Sequence, residues 1–198
     1  KDNYIWIRVP VGYLYCIGNP RTDWLYQTEA EEALGGRALK YPRGRVLGGC
    51  SSINGMIYMR GQAADYDLWR QLGCEGWGWD DVIPYFRRAE NQERGSDEFH
   101  ATGGPLNVSD VTERHTVSDA VVEACVESGM PRLRDVNGES QEGVSYYQLT
   151  VKNGQRHSAA VAYLHPVMNR PNLTVATNAL ASKVLIEDGR AVGVDYVQ

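Results

Sequence analysis

The chain has 198 residues, of which 42% are hydrophobic and 23% charged, and carries a net charge of −5. That is enough apolar material for one domain or two small ones under a soluble surface. The negative balance, with no dense lysine or arginine run, argues against a nucleic-acid partner, and no apolar run approaches the roughly 20 residues that cross a bilayer as a helix.

The N-terminal Lys1-Asp2-Asn3 leads into a mixed polar segment and not into a secretory leader. With no initiating methionine, the chain reads as a processed or trimmed piece. Residues 1–43 are dense in aromatics (Tyr4, Trp6, Tyr13, Tyr15, Trp24, Tyr26) that cannot share one regular face, so an extended arm packing on something larger is expected. Gly35-Gly36 marks a turn, and Leu39 to Tyr41 suits a short strand.

The run from Gly44 to Gly61 is the most informative stretch. It gathers Gly44, Gly48, Gly49 and Gly55 with small residues and one amide, Asn54, and then turns apolar. Two readings stand open. One is a tight turn leading into a buried helix. The other is a bare backbone surface whose N–H groups approach a flat or anionic ligand, because glycine puts no side chain in the way.

Further on, Ala64, Leu68, Trp69 and Leu72 fall near helical spacing, which predicts a helix over Ala63 to Leu72 stopped by Gly73. Asp80 suits the cap of a second helix reaching Ala89, with Pro84 marking a kink or a later start. Leu106 to Val108 is a strand candidate. Thr116 with Asp119 resembles a capping pair at the head of a helix whose apolar face is Val117, Ala120, Val121, Ala124 and Cys125, ended by Gly129.

Tyr146 to Val151 reads as a strand, Ser158 to Leu164 as two helical turns halted by Pro166, and Leu173 to Ala176 as another strand. Lys183 to Glu187 and Ala191 to Tyr196 flank Asp188-Gly189, a dipeptide suited to a tight hairpin because both residues reach positive φ.

Cys16, Cys50, Cys74 and Cys125 form no Cys-x-x-Cys pair, which points away from a zinc site or redox dithiol and toward reduced thiols in a cytoplasmic protein. His100, His115, His157 and His165 show no metal-ligand spacing and read as surface or satisfied polar residues, so no metal is expected. A serine hydrolase would want Gly-x-Ser-x-Gly, and Gly49-Cys50-Ser51-Ser52-Ile53 lacks the second glycine. A phosphate loop would want Gly-Lys-Ser/Thr, which Gly48-Gly49-Cys50 does not supply. A non-catalytic interaction module, docking a partner through the aromatic arm, remains the alternative.

The stretch Gly44-Arg45-Val46-Leu47-Gly48-Gly49, two small residues, Ile53-Asn54, then Tyr58, Gly61 and Asp67, resembles the first signature of the glucose–methanol–choline (GMC) oxidoreductases, FAD-dependent enzymes that oxidise alcohols. Cys50 stands where many members have serine. Gly76 to Phe86, Gly103 to Leu106 and Gly154 to Leu164 resemble the family too, and the wording is nearest to its bacterial choline-dehydrogenase-like branch. The resemblance implies a mixed α+β piece from the middle of a two-domain enzyme. Residues 1–62 and 172–198 would belong to the FAD side and 63–171 mainly to an antiparallel-sheet substrate domain.

By the same resemblance Val46, Gly49, Cys50, Asn54, Gly55, Met56 and Ile57 contact the flavin, and the backbone of Val184 meets the adenine. For Asn54 the alternative is to satisfy local backbone groups. Members that hold FAD covalently do so through a His directly before this Asn; here that position is Ile53, so non-covalent FAD is expected. The family's dinucleotide fingerprint and its late catalytic His have no match in this chain, so no catalytic residue is assigned. The chain alone is expected to be inactive, to hold no FAD, and to associate through uncovered apolar surface. The substrate would be a small-molecule alcohol, oxidised to an aldehyde or ketone.

Overall fold

The computed structural model describes residues 2–198 and shows mixed α and β structure. The aromatic arm folds into two single-turn helices, α1 (Ile5–Arg8) and α2 (Tyr13–Cys16), joined by a tight turn at Pro10–Gly12. Gly12 lets the turns touch: a Cβ there would sit 2.0 Å from the Trp6 carbonyl oxygen. Trp6 stacks on Tyr15 with ring centroids 4.4 Å apart. Ile7 and Cys16 turn inward onto Ile53, with Tyr4, Trp6 and Val46 packed around them. The arm's core is therefore the underside of the glycine run.

Asp23 then organises the chain. Burial alone would raise its carboxyl, but backbone N–H groups of Gly18, Leu25, Arg43 and Trp24 hold its pKa below the usual value. The strands β1 (Tyr26–Gln27) and β2 (Lys40–Tyr41) pair antiparallel, and Gly35 and Gly36 turn the loop between them with φ of 67° and 73°.

After the glycine run, β3 (Ile57–Tyr58) pairs antiparallel with β6 (Gln148–Leu149), a long-range tie across most of the chain. Helix α3 (Ala63–Gln71) opens with the Asp65 carboxylate accepting the Gln62 N–H at 2.8 Å and gives way at Gly73, where φ is 100°. Helix α4 (Trp79–Ala89) starts two residues earlier than expected, capped at Gly78 and not at Asp80. The Gly78 N–H is held by Asp81 at 3.0 Å, so Asp80 lies inside the first turn and is not the cap. Pro84 is accommodated within this helix.

Strands β4 (Glu90–Gln92) and β5 (Leu106–Val108) pair in parallel around a loop, with Glu90 opposite Leu106. In α5 (Thr116–Glu127) the cap is His115, whose Nδ1 accepts the Val117 N–H at 3.2 Å; Thr116 is already helical, and Asp119 instead accepts a hydrogen bond from the Tyr146 hydroxyl at 2.8 Å. The expected apolar face is also corrected. Val117 and Val121 are 61% and 56% exposed, and the helix packs through Val122.

The Tyr146–Val151 segment splits into β6 and β7 (Val151–Lys152), which turns through Asn153-Gly154 (φ 51° and 72°) into β8 (Gln155–Arg156). Ser158 to Leu164 becomes a wide π turn at Ala160–Leu164, followed by a tighter turn at His165–Val167. Leu173 to Ala176 forms no strand; among the described residues it pairs with no other segment. The hairpin β9 (Leu180–Glu187) and β10 (Arg190–Val197) forms as expected, with Asp188 and Gly189 at φ 48° and 75°. Two register irregularities, at Ala191/Gly193 and Asp195/Tyr196, interrupt it.

The accessible surface is 13766 Å², well above the roughly 9,300 Å² expected for a self-contained monomer of this mass. Much of the excess is apolar: Trp69, Trp77, Tyr85, Ile186 and Val194 are all exposed.

His157 gives one testable pH dependence. Its Nδ1 accepts the Asn107 N–H at 3.1 Å, and burial, helped by the charge of Lys152, lowers its pKa. The folded protein thus binds this proton less readily than the unfolded one, so stability present above pH ~6.5 is lost as pH falls through the depressed value. Urea midpoints followed from pH 7.5 to 5 should fall, and His157→Gln should flatten that slope; an unchanged slope would refute the assignment.

Candidate functional site

The glycine run is built by backbone contacts that only small residues permit. A Cβ on Gly44 would lie 2.1 Å from the Gly49 carbonyl oxygen. Gly48 has φ 85°, and a Cβ there would meet Ser52 Oγ at 2.5 Å and Ala160 Cβ at 3.2 Å. A single tight turn, Gly49–Ser52, follows, then the chain extends into β3. The reading of a turn leading into a buried helix is therefore set aside.

Serines fasten this turn to its surroundings. Ser52 Oγ donates to the Leu47 carbonyl at 2.8 Å, and Ser51 Oγ accepts the Ala159 N–H at 2.9 Å, which joins the run to the π turn. Asn54 Oδ1 accepts the Met56 N–H at 3.0 Å and an Arg156 Nη1 hydrogen bond at 2.8 Å. Met56 is held at φ 64° with its side chain 4% exposed, and its carbonyl accepts the Thr150 N–H at 2.9 Å. A methionine in this left-handed conformation is strained by ~1–3 kcal/mol, so the surroundings must impose it.

The run consequently has two sides. Val46 and Ile53 face the apolar core, and the Met56 side chain is buried. On the other side Cys50, Asn54, Gly55 and Ile57 are exposed, and added Cβ atoms on Gly49 and Gly55 would meet nothing within 4 Å. Of the candidate residues, Cys50, Asn54, Gly55 and Ile57 are thus exposed and Gly49 half-buried, with free space beside both glycines. Val46 is half-buried against the core and Met56 buried. Asn54 fills its local structural role through Oδ1 and keeps its amide N–H₂ for another partner.

Val184 lies apart, in β9 opposite Val194. What adjoins the glycine run is the approach to that hairpin. Residues Ala176 to Leu180 face Gly44 to Leu47 and Trp24 across a cleft of about 380 Å³. Arg45 lies over the Trp24 ring there, 4.8 Å from its centroid.

Sequence reasoning placed Arg156 in a family-like run but attributed it to helix entry and packing, not to the site. It is 3% exposed, with Nε donating to the Ile7 carbonyl at 2.9 Å and Nη1 to the Ser51 carbonyl at 3.0 Å as well as to Asn54. Its Nη2 has no partner. Burial lowers its pKa, and burial likewise raises that of the nearby Cys16 thiol against the pull of the Arg156 charge. The signal was Arg156 falling two positions after the two-residue turn Asn153-Gly154, which fixes the strand register and hence the direction of its side chain.

A second buried polar cluster lies where the run ends. Arg60 Nη2 meets Glu90 Oε2 at 2.8 Å, both side chains 1% exposed or less. His100 Nδ1 is 3.0 Å from the same oxygen, and the Ala101 N–H and Gln92 Nε2 also bond Glu90. Gln92 and Gln148 exchange hydrogen bonds, and Asn137 accepts the Arg60 N–H. Among the described residues no His/Cys/Asp/Glu group could hold a metal ion, and no helix is long and apolar enough to cross a membrane.

The free space beside Gly49 and Gly55 leaves room for a flat cofactor. A side chain at Gly49 or Gly55 would stand in the free space, Asn54 offers a donor outward, and a buried cation lies directly behind it. Comparison with known proteins agrees in family. Human mitochondrial choline dehydrogenase is 43% identical over 192 residues, 97% of this chain and 32% of that protein. The crystal structure of pyridoxine 4-oxidase from Mesorbium loti superposes with a TM-score of 0.91 at 33% identity, covering 98% of this chain and 39% of that one. An FAD-dependent oxidoreductase from Chaetomium thermophilum gives a TM-score of 0.87 at 27% identity, covering 100% of this chain and 36% of that one. The chain thus spans about a third of the length of the curated relative. The GMC oxidoreductase family model matches residues 18–198, and the chain belongs to that family.

Proposed function

We propose that this chain is part of an FAD-dependent enzyme that oxidises the CH–OH group of a small alcohol to an aldehyde or ketone. The open face of Gly49, Cys50, Asn54, Gly55 and Ile57, backed by a buried guanidinium, carries this reading. Bound FAD would accept the two electrons and the hydrogen leaving the alcohol carbon. The chain's own residues would seat the ring: the two glycines by leaving room, Asn54 by donating one hydrogen bond, and Val46 and Met56 by presenting backbone. The choline and pyridoxine in the relatives' names are both alcohols of very different shape, so the reading extends to the alcohol class and not to one substrate.

In this reading residues 1–62 and 172–198 form the cofactor side, with Val184 near the adenine, and 63–171 mainly the substrate side. FAD is held non-covalently, because Ile53 offers no nucleophile next to Asn54. The exposed apolar surface is where the chain associates, with itself or with the rest of its protein. Unpaired cysteines support a cytoplasmic setting.

The test uses the full-length protein. It should purify yellow, release all its flavin on denaturation and filtration, and bleach anaerobically with at least one member of an alcohol panel. A colourless protein that FAD does not reconstitute would refute the reading. Flavin that stays with the denatured chain would refute the non-covalent part alone. The isolated 198-residue chain is expected to retain no flavin.

A further inference from the structure

Arg156 is a buried cation without an ion-pair partner among the described residues. All three of its acceptors, the Ile7 and Ser51 carbonyls and Asn54 Oδ1, are neutral oxygens. The ion pairs among the described residues do not include it. An uncompensated buried charge is costly, and proteins keep one where something else meets it. One of its acceptors, Asn54, is exposed, and Arg156 also borders an open cleft lined by Asp2, Arg8 and Lys152.

The Asn54 amide can stand only one way round. Both groups that reach Oδ1, the guanidinium and the Met56 N–H, are pure donors. Flipping the amide would aim N–H₂ at two donors, leave the Met56 N–H unpaired and leave Arg156 Nη1 with the Ser51 carbonyl alone. Asn54 therefore presents N–H₂ outward, and the hydrogen bond from Arg156 polarises that amide so that its outward hydrogens carry more positive charge.

We propose that Arg156 is a positioning residue that fixes Asn54 as a donor toward the cofactor and supplies, through it, the positive charge that favours the cofactor's reduced, more anionic form. The proposal rests on the FAD reading above. A flavin gains electron density on reduction, and a fixed charge near its ring system tunes how readily it does so. Among the described residues no carboxylate forms an ion pair with this cation, and the reduced flavin is the partner that would offset the cost of burying it.

The experiment uses the full-length holoenzyme and reads the flavin midpoint potential by anaerobic dye titration, alongside the FAD dissociation constant. In Arg156→Met, FAD binds but the reduced form loses at least tenfold relative to the oxidised form, a fall of about 30 mV for a two-electron couple. Arg156→Lys keeps the charge at pH 6 and should match the wild type there. Because a buried lysine loses its proton far more readily than an arginine, its midpoint should drop below wild type as pH rises to 9.

A Met variant that binds FAD at the wild-type midpoint overturns the proposal. Should that variant not fold, a Lys variant that tracks the wild type from pH 6 to 9 overturns it equally. A wild-type protein that never takes up FAD would sink the reading beneath, whereas a yellow wild type with indifferent variants sinks this proposal alone.

Discussion

Glu90→Leu is expected to destabilise the protein by about 3–5 kcal/mol, because it removes one partner of a fully buried ion pair and strands the other. Glu90 is 0% exposed and serves Arg60, His100, Gln92 and the Ala101 backbone at once. Without it the Arg60 guanidinium keeps only the Phe99 carbonyl and the Tyr58 hydroxyl. A loss of that size is a large share of the ~5–15 kcal/mol that holds a typical domain folded. Urea unfolding measures it, with Glu139→Gln, at an exposed position, as the neutral comparison. Adding Arg60→Met to Glu90→Leu should recover part of the loss, since the orphaned charge is then gone too. A single variant as stable as the Glu139 control would mean the cluster is not what ties the exit of the glycine run to β4.

The second large effect concerns Gly55→Leu in the full-length protein. Gly55 lies outside the left-handed region, and nothing stands within 4 Å of where its Cβ would be, so the substitution meets no clash in the protein itself. It does fill the space in front of the open face. FAD affinity should drop at least about 100-fold, or about 2.8 kcal/mol at 1.4 kcal/mol per tenfold, while far-ultraviolet circular dichroism stays that of the wild type. Gly49 is a poorer probe, because at φ 54° any side chain strains the backbone as well as blocking the face. Undiminished flavin binding in Gly55→Leu would move the cofactor away from this surface.

What could be read from sequence was local. The Asp188-Gly189 hairpin and the end of α3 at Gly73 each depend on two or three neighbouring residues, and both formed as expected. Asn153-Gly154 carried the same kind of signal and went unused, although it sets Arg156 in place. Elements that need a distant partner were harder. Leu173 to Ala176 has the composition of a strand but no neighbour to pair with. In α5, periodicity found an apolar stripe without saying which side the rest of the protein would cover, and Val122 is the buried one.

At the candidate site the glycines and Asn54 stood out because they are contiguous. The two arginines that brace the run did not. Arg156 reaches Asn54 across 102 positions and Arg60 reaches Glu90 across 30, and no short pattern encodes either approach.

The bulged hairpin at the C-terminal end has a consequence for a chain with so much bare surface. Its two interruptions leave Gly193–Asp195 as the only uniform pairing between them. Stacking of identical strands into fibrils draws on straight segments of about six or seven residues. A kinked ribbon of this kind offers incoming strands no such length, so crowding of these molecules should yield loose, reversible clusters in place of ordered fibres.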